Sequence, residues 1–492
     1  MTKTKRLLVI LLCVFAHTLH AQSYQWGLTT AKAERSQAVS VRQNSLGEIY
    51  LATYSDSVTI RLYSQFEKRD ANQQLIWQKQ INGNVTIADF ELNAAGNPVV
   101  AGYFQGTISI DGILLTGITG VNTGFIFECD TTGSVQWVHT LNPGNSTFEP
   151  VDLFIAQSGL MYLTSELYLG NAFCAFHKLN AVGNIIQTEL PTTFENRTFS
   201  HIRSDASGNV YLSGTCGNLA TFDNLTPNPT QSYQNFLVKY DSSFNAQWLI
   251  TRNYITFDHN NEIGSDGQNL YWAFVDFTNN SDTVKIIKTD LSGQILNTID
   301  GPMAIAFFPG VDYSVDSSGN STLIVEAFTR FYIYRYDSAF NIVWQDTLMT
   351  QISGFPLHTD LICYDSCFYI ASIYTNDTLE FDNQFMLINP NSGSGYPSDV
   401  FVCKWGYNQA LSANDFKNAN EILVFPNPVT DIINVDYEES SYVFVSDIAG
   451  KIVYSSSFQK QIDVSKFSEG IYFLRLISKD KSSIVRKFCV AR

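Results

Sequence analysis

The sequence predicts an all-β protein, a seven-bladed β-propeller followed by a small C-terminal β-sandwich. Three observations lead there. Among 492 residues there are 35 Phe, 25 Tyr and 30 Gly but only 15% charged residues, a composition that favours pleated, half-buried surfaces joined by tight turns. A turn-and-strand motif recurs through residues 22–406 at spacings of roughly 50 to 60 residues, the mark of a repeat architecture. Finally, the charge balance changes near residue 421. The whole chain carries 30 basic against 46 acidic side chains, a net charge of -16, whereas residues 421–492 carry nine of each. The acidic upstream part repels phosphate backbones and anionic lipid headgroups, so nucleic acid is not an expected partner.

The first element is a leader. Lys3, Lys5 and Arg6 precede the apolar run Leu7 to Ala16, and Leu19-His20-Ala21 stands before Gln22, the layout of a cleavable secretory signal over residues 1–21. The run is too short to cross a bilayer, and no later run approaches the ~18 apolar residues that a spanning helix requires. Cys13 follows Leu11-Leu12, without the small residue that precedes a lipoprotein cysteine.

Residues 22–406 alternate two motifs. The first is a turn leading into an aliphatic or aromatic strand: Ser45 to Leu51, Ala94 to Val100, Gln157 to Leu163 and Ala206 to Leu212, with weaker copies at Gly267, Gly319 and Asp365 to Ile370. The second is a strand ending at Asp, with Trp seven residues later: Asp70 to Trp77, Asp130 to Trp137, Asp241 to Trp248 and Asp337 to Trp344. Asn180 to Gln187 and Asp290 to Asn297 keep the frame without the tryptophan. Seven copies of the first motif thus face six of the second, and the ends supply what is missing. Phe401 to Trp405 is a strand with nothing after it, and Tyr24-Gln-Trp26 is a tryptophan strand with nothing before it. If both lie in one blade, the ring closes and leaves no open sheet edge. The Asp and Gly of Asp130-Thr-Thr-Gly133, Asp205 to Gly208, Asp290 to Gly293 and Asp316 to Gly319 read as turn chemistry. One carboxylate per turn is too few for a calcium loop. Residues 102–141 resemble one repeat of the bacterial surface propellers of SBBP type, with more divergent copies at 214–250 and 373–405; that family brings no shared catalytic residues.

Seven cysteines remain beyond the leader, and Cys363-Tyr-Asp-Ser-Cys367 either closes a small disulfide after export or stays as two thiols. No second Cys/His pair at ligand spacing accompanies it, so no metal or cofactor is expected. Residues 407–420 are polar and aperiodic and read as a linker. Strands follow at Ile432 to Val435, Tyr442 to Ser446, Lys451 to Tyr454, Ile471 to Ile477 and Val485 to Val490.

In this last unit, Val424-Phe-Pro426-Asn427-Pro428, then Ile432 to Val435, Asp447 and Gly450, then Gly470-Ile-Tyr472-Phe-Leu474 and the closing Arg486-Lys487-Phe-Cys-Val490 resemble the type A C-terminal sorting domain of the Bacteroidota type IX secretion system. The resemblance covers residues 421–492. It implies general export, folding in the periplasm, and recognition by the outer-membrane translocon and sorting machinery. It also implies removal of the domain in the linker, with the cargo released or held on the outer cell surface. Cys489 replaces the usual apolar residue of the final strand.

No catalytic constellation stands out. The sialidase Asp-box spacing is not met, and His139, His177, His201, His259 and His358 show no pairing in sequence. Acidic pairs such as Asp152 or Asp258 with Glu262 are as common as 46 acidic residues make them. Two readings remain: a non-catalytic binding or scaffold protein for an extracellular glycan or protein, and a polysaccharide-acting hydrolase or lyase. Several carboxylates, an Arg or His and aromatics converging on one face would favour the enzyme.

Overall fold

The computed structural model describes residues 22–30, 35–56, 61–141, 147–168, 172–189, 197–253, 261–276, 283–303, 310–327, 330–349, 359–374, 378–381, 385–389, 399–407, 423–436, 440–447, 451–478 and 483–492. These residues are all-β, with no helix among them. The chain divides into two compact units, Met1–Asn408 and Gln409–Arg492.

Among the described residues of the first unit, seven four-stranded antiparallel sheets follow one another, a propeller-like arrangement. Their first strands are β1 (Arg35–Gln43), β2 (Val85–Leu92), β3 (Thr147–Ile155), β4 (Arg197–Ser204), β5 (Asn261–Ser265), β6 (Val311–Val315) and β7 (Asp360–Tyr364). Each of β1 to β6 touches the next, and β7 touches β1. The seventh sheet is completed from the other end of the unit: Gln22–Thr29 pairs with Asp399–Tyr407, from Gln22 opposite Tyr407 to Thr29 opposite Phe401. Tyr24 stacks on Phe381 at 4.6 Å, and Trp26 meets Tyr369 edge-on at 5.8 Å. Small hairpins, Thr107–Ile110 with Ile113–Thr116 and Thr378–Phe381 with Phe385–Ile388, fall between second and third strands. Two of the three stretches that resemble one another in sequence contain these hairpins.

The repeated Asp, Gly and Trp have structural work. Asp130 Oδ1 accepts the Thr132 and Ser134 N–H groups, and Gly133 sits at φ 90°, where a side chain would be strained. The Trp77 ring of the preceding sheet covers this turn, its Nε1 donating to Thr131 O at 3.1 Å. Trp248 does the same to Leu291 O at 3.4 Å. Gln187, which stands where other copies have Trp, donates to Ser243 O at 3.0 Å. A lysine two residues before the Asp, or before Asn180 in its place, adds a second donor: Lys68 to Thr131 O, Lys178 to Ser242 O, Lys239 to Leu291 O and Lys288 to Ser338 O. The turns at Asp130 and Asp290 are thus held by cation and ring from the sheet before, and those at Asp241 and Asp337 by the cation without a tryptophan. Where no glycine is present, Phe244 and Phe340 take positive φ and bury their rings against Phe176 and Tyr271.

Cys363 and Cys367 are free thiols. They point to opposite sides of the seventh sheet: Cys363 Sγ lies 3.2 Å from Thr322 Oγ1 of the sixth, and Cys367 Sγ lies 3.9 Å from Gln43 Oε1 of the first. Side chains on opposite faces of a sheet cannot be bridged without moving the backbone.

In the second unit, a three-stranded sheet (Leu423–Phe425, Ile432–Asp436, Gln461–Asp463) and a four-stranded one (Ile452–Ser457, Ser440–Asp447, Gly470–Ser478, Ser483–Val490) enclose one apolar core. Ile433, Val443, Val445, Ile462, Leu474 and Phe488 fill it.

Candidate functional site

Two places carry candidate function. The first is the sequence motif of the second unit. Asn427 Oδ1 accepts the Cys489 N–H at 2.9 Å, which ties the Pro426-Asn427-Pro428 segment to the final strand, while all three residues remain exposed. Asp447 Oδ1 accepts the Lys451 N–H at 3.0 Å and so shapes a turn whose Gly450 lies outside the described residues. Gly470 opens the strand that carries Tyr472. Tyr472 is buried against Phe467 and Phe488 and donates to Ser468 O at 2.8 Å. Lys487 is exposed beside it on the neighbouring strand.

The second place is a cavity of about 1220 Å³ in the first unit, bordered by residues of β1 to β7. On each first strand a polar residue immediately precedes a fully packed one: Ser40-Val41, Asp89-Phe90, Asp152-Leu153, His201-Ile202, Glu262-Ile263, Asp312-Tyr313 and Asp360-Leu361. Six of these seven polar residues, all but Ser40, line the cavity. Three of them tie neighbouring strands together. Asp360 accepts the Val41 N–H at 2.6 Å, Asp89 the Leu153 N–H at 3.0 Å, and Asp152 the Ile202 N–H at 2.6 Å. Arg42 is clamped by Glu91 at 2.9 Å, Asp360 at 3.0 Å and Asp89 at 3.3 Å. Arg203 donates to Asp152 at 3.0 Å and to Ile202 O at 2.7 Å.

His201 lies between two carboxylates, with Nε2 2.9 Å from Glu262 and Nδ1 3.5 Å from Asp152. Burial disfavours its charged form, but Glu262 and Asp152 outweigh burial and hold its pKa well above the ordinary value. Burial would raise Asp152, yet Arg203 and His201 hold it below the usual range. Asp89 is pushed up to about 7 by burial and by the nearby Asp152 and Glu91, against the pull of Arg42. Asp312 is raised well above the carboxylate range by burial, then by Glu262 and Asp360. The cavity wall therefore places Asp89 and Asp312, both biased toward the protonated form, beside Asp152 and His201, both biased toward the charged form. No cluster of three metal-ligating groups occurs among the described residues.

The sequence assigned no catalytic or ligand-binding role to a residue of this cavity, although Asp152 with Glu262 stood as one possible acidic pair and His201 stood apart; the structure sets His201 between the two carboxylates. Asp258, His259 and His358 lie outside the described residues. His177 is buried between Ser165 at 2.8 Å and Thr188 at 2.9 Å, and burial lowers it to about 4. His139 contacts Val182 O at 2.8 Å. Both serve the fold. The missed signal was the repeated polar-then-apolar step on each first strand, obscured because bulges shift β1 to β4.

Residues 423–491 match the family of secretion system C-terminal sorting domains. Comparison with curated proteins finds no match. Among solved structures, a protein of unknown function from Dyadobacter fermentans DSM 18053 is similar at 9% identity and TM-score 0.41, over 78% of this chain and 99% of that one. The polysaccharide lyase Uly1 is similar at 10% identity and TM-score 0.43, over 78% and 92% of the two chains. A protein of unknown function from Bacteroides caccae follows at 10% identity and TM-score 0.35, over 64% and 94%. Likenesses this distant carry no argument about activity. The terminal unit does: it carries the sorting domain of type IX secretion, which marks the protein for export to the cell surface or the medium.

Proposed function

We propose that the first unit is a closed seven-bladed β-propeller that binds an extracellular ligand without catalysing its conversion, delivered by the sorting domain after removal of residues 1–21. The contacts between successive first strands and the pairing of Gln22–Thr29 with Asp399–Tyr407 support closure. One observation carries the non-catalytic reading. Asp89, Asp152 and Asp360 each hold a backbone N–H of the next sheet, and Arg42 is engaged by three carboxylates. Groups so committed hold the ring together and cannot shift a proton without loosening it.

A second reading, a polysaccharide-acting hydrolase or lyase, draws on the Asp152–His201–Glu262 contact and on Asp312, whose protonated form burial favours. Incubation of the purified protein with a panel of plant, algal and bacterial polysaccharides separates the two. No new reducing ends and no unsaturated products, with measurable retention on one polymer, is the expected result. Turnover lost in Glu262→Gln would overturn the binding reading. Terminal-peptide mass spectrometry of cells with and without a working translocon tests the address. The expected exterior form begins near Gln22, ends before about residue 421 and disappears without the translocon.

A further inference from the structure

The cavity wall specifies a ligand chemistry. Ten carboxylates border it against two arginines and one histidine. Arg42, Arg203 and His201 are each already paired with a carboxylate, so the surplus facing a ligand is negative. A concave, low-dielectric surface of one sign concentrates ligands of the opposite charge and repels its own. An anionic, uronate-type polymer is therefore a poor occupant.

An independent observation points to what else the ligand carries. Thr86 and Ser200, 6% and 3% exposed, border the cavity with hydroxyls that have no hydrogen-bond partner among the described residues. Buried hydroxyls without partners cost free energy, and a bound group that pairs with them recovers it. Asp312 also borders the cavity; burial, Glu262 and Asp360 favour its protonated form, which donates to a hydroxyl oxygen or loses its proton to solvent when a cation approaches. The volume exceeds the roughly 300–1,000 Å³ of ordinary small-molecule pockets, which leaves room for more than one ring.

We propose that this cavity binds an oligosaccharide of amino sugars, with protonated amines facing the carboxylates and hydroxyls pairing with Thr86 and Ser200. The proposal rests on the cavity being the ligand site of a binding protein. Glu262, Asp360, His201 and Glu326 face Asp312 electrostatically. A cation placed among the carboxylates favours their ionised forms, so binding releases protons to solvent at neutral pH, where Asp89, pushed up to about 7, is partly protonated.

The test is isothermal titration calorimetry on the chain from Gln22 to Arg492, with four probes: a short glucosamine oligomer, its N-acetylated form, a galacturonate oligomer and an oligolysine. The glucosamine oligomer is expected to bind with salt-sensitive affinity and proton release, at least about tenfold more tightly than the acetylated form. Thr86→Val and Ser200→Ala remove unpaired hydroxyls, so they should keep the thermal midpoint and weaken binding by about tenfold each. Equal binding of the acetylated form, or preference for the uronate, overturns the charge argument and leaves the cavity as a glycan site. Oligolysine binding as tightly as the amino sugar overturns the sugar assignment and leaves a site for cations. Binding by none of the four overturns both the proposal and the reading of the cavity as a ligand site. Binding unaffected by Thr86→Val and Ser200→Ala overturns its placement here.

Discussion

The strand Gln22–Thr29 joins the beginning of the first unit to its end, and its loss would open the seventh sheet along Asp399–Tyr407. Two side chains anchor it on opposite faces. Tyr24 packs with Phe381 and Trp405, whereas Trp26 packs with Tyr369 in a different apolar cluster. Truncating a fully buried Phe or Trp to Ala costs about 3–5 kcal/mol. Both rings here are half-buried, so about 2 kcal/mol each follows, and separate clusters make the two losses additive. The double variant Tyr24→Ala, Trp26→Ala should lose about 4 kcal/mol, a large share of the 5–15 kcal/mol typical of a folded domain. The thermal midpoint should fall by roughly 5–10 °C. Near-UV circular dichroism during heating measures it. A chain beginning at residue 31 should show a still lower midpoint, restored in a concentration-dependent way by a synthetic peptide of residues 22–30. If the double variant and the truncated chain both melt with the wild type, the strand does not close the ring.

Four further outcomes follow from the same geometry. Gly133→Ala would place a Cβ 2.9 Å from the Trp77 ring at a φ of 90°, and should cost about 1–3 kcal/mol in urea unfolding; an unchanged midpoint would show that the ring does not press on the turn. Arg42→Met leaves Asp89, Glu91 and Asp360 without their cation and should destabilise by about 3–5 kcal/mol at pH 8, less at pH 5, where Asp89, with a pKa of about 7, is protonated. Asp312 and Asp89 are raised above their unfolded values, so they bind protons more tightly when folded. Their contribution is full below about pH 4 and is lost as pH rises through the folded values, near 7 for Asp89. Asp312→Asn should therefore melt higher than wild type at pH 8 and converge with it near pH 4, and a constant difference between the two would contradict this. Deletion of residues 421–492 should leave the first unit folded and abolish its appearance outside the cell, as read by surface proteolysis and immunoblotting of the medium.

Much of the fold was legible because its determinants are local. The Asp-to-Trp spacing of seven fixes a turn and the ring that covers the next turn, so Trp77, Trp137 and Trp248 identified their strands from sequence alone. The lysines two residues before Asp70, Asn180, Asp241 and Asp290 were equally local and passed unnoticed, since their carbonyl partners lie one repeat away. Counting unmatched motifs led to Trp26 beside Phe401 to Trp405, and the structure pairs those strands. The strands of the last unit fell where its apolar runs end, except the short Leu423–Phe425 and Gln461–Asp463, which alternation over three residues cannot signal. Within the sorting motif, Asp447 and Tyr472 act on their own turns, whereas Asn427 reaches the final strand at Cys489.

The sequence by itself determined the strand-and-turn composition, the repeat and the export address, because each depends on residues a few positions apart. Tertiary structure alone decided the cavity. Asp89, Asp152, His201, Glu262, Asp312 and Asp360 are far apart in the chain, and only the packing of sheet against sheet brings them to one wall. Their proton affinities follow from that meeting: Glu262 and Asp152 favour the charged form of His201, and burial and like charges favour the protonated form of Asp312. The same holds for Cys363 and Cys367, four residues apart in sequence and separated by the thickness of a sheet.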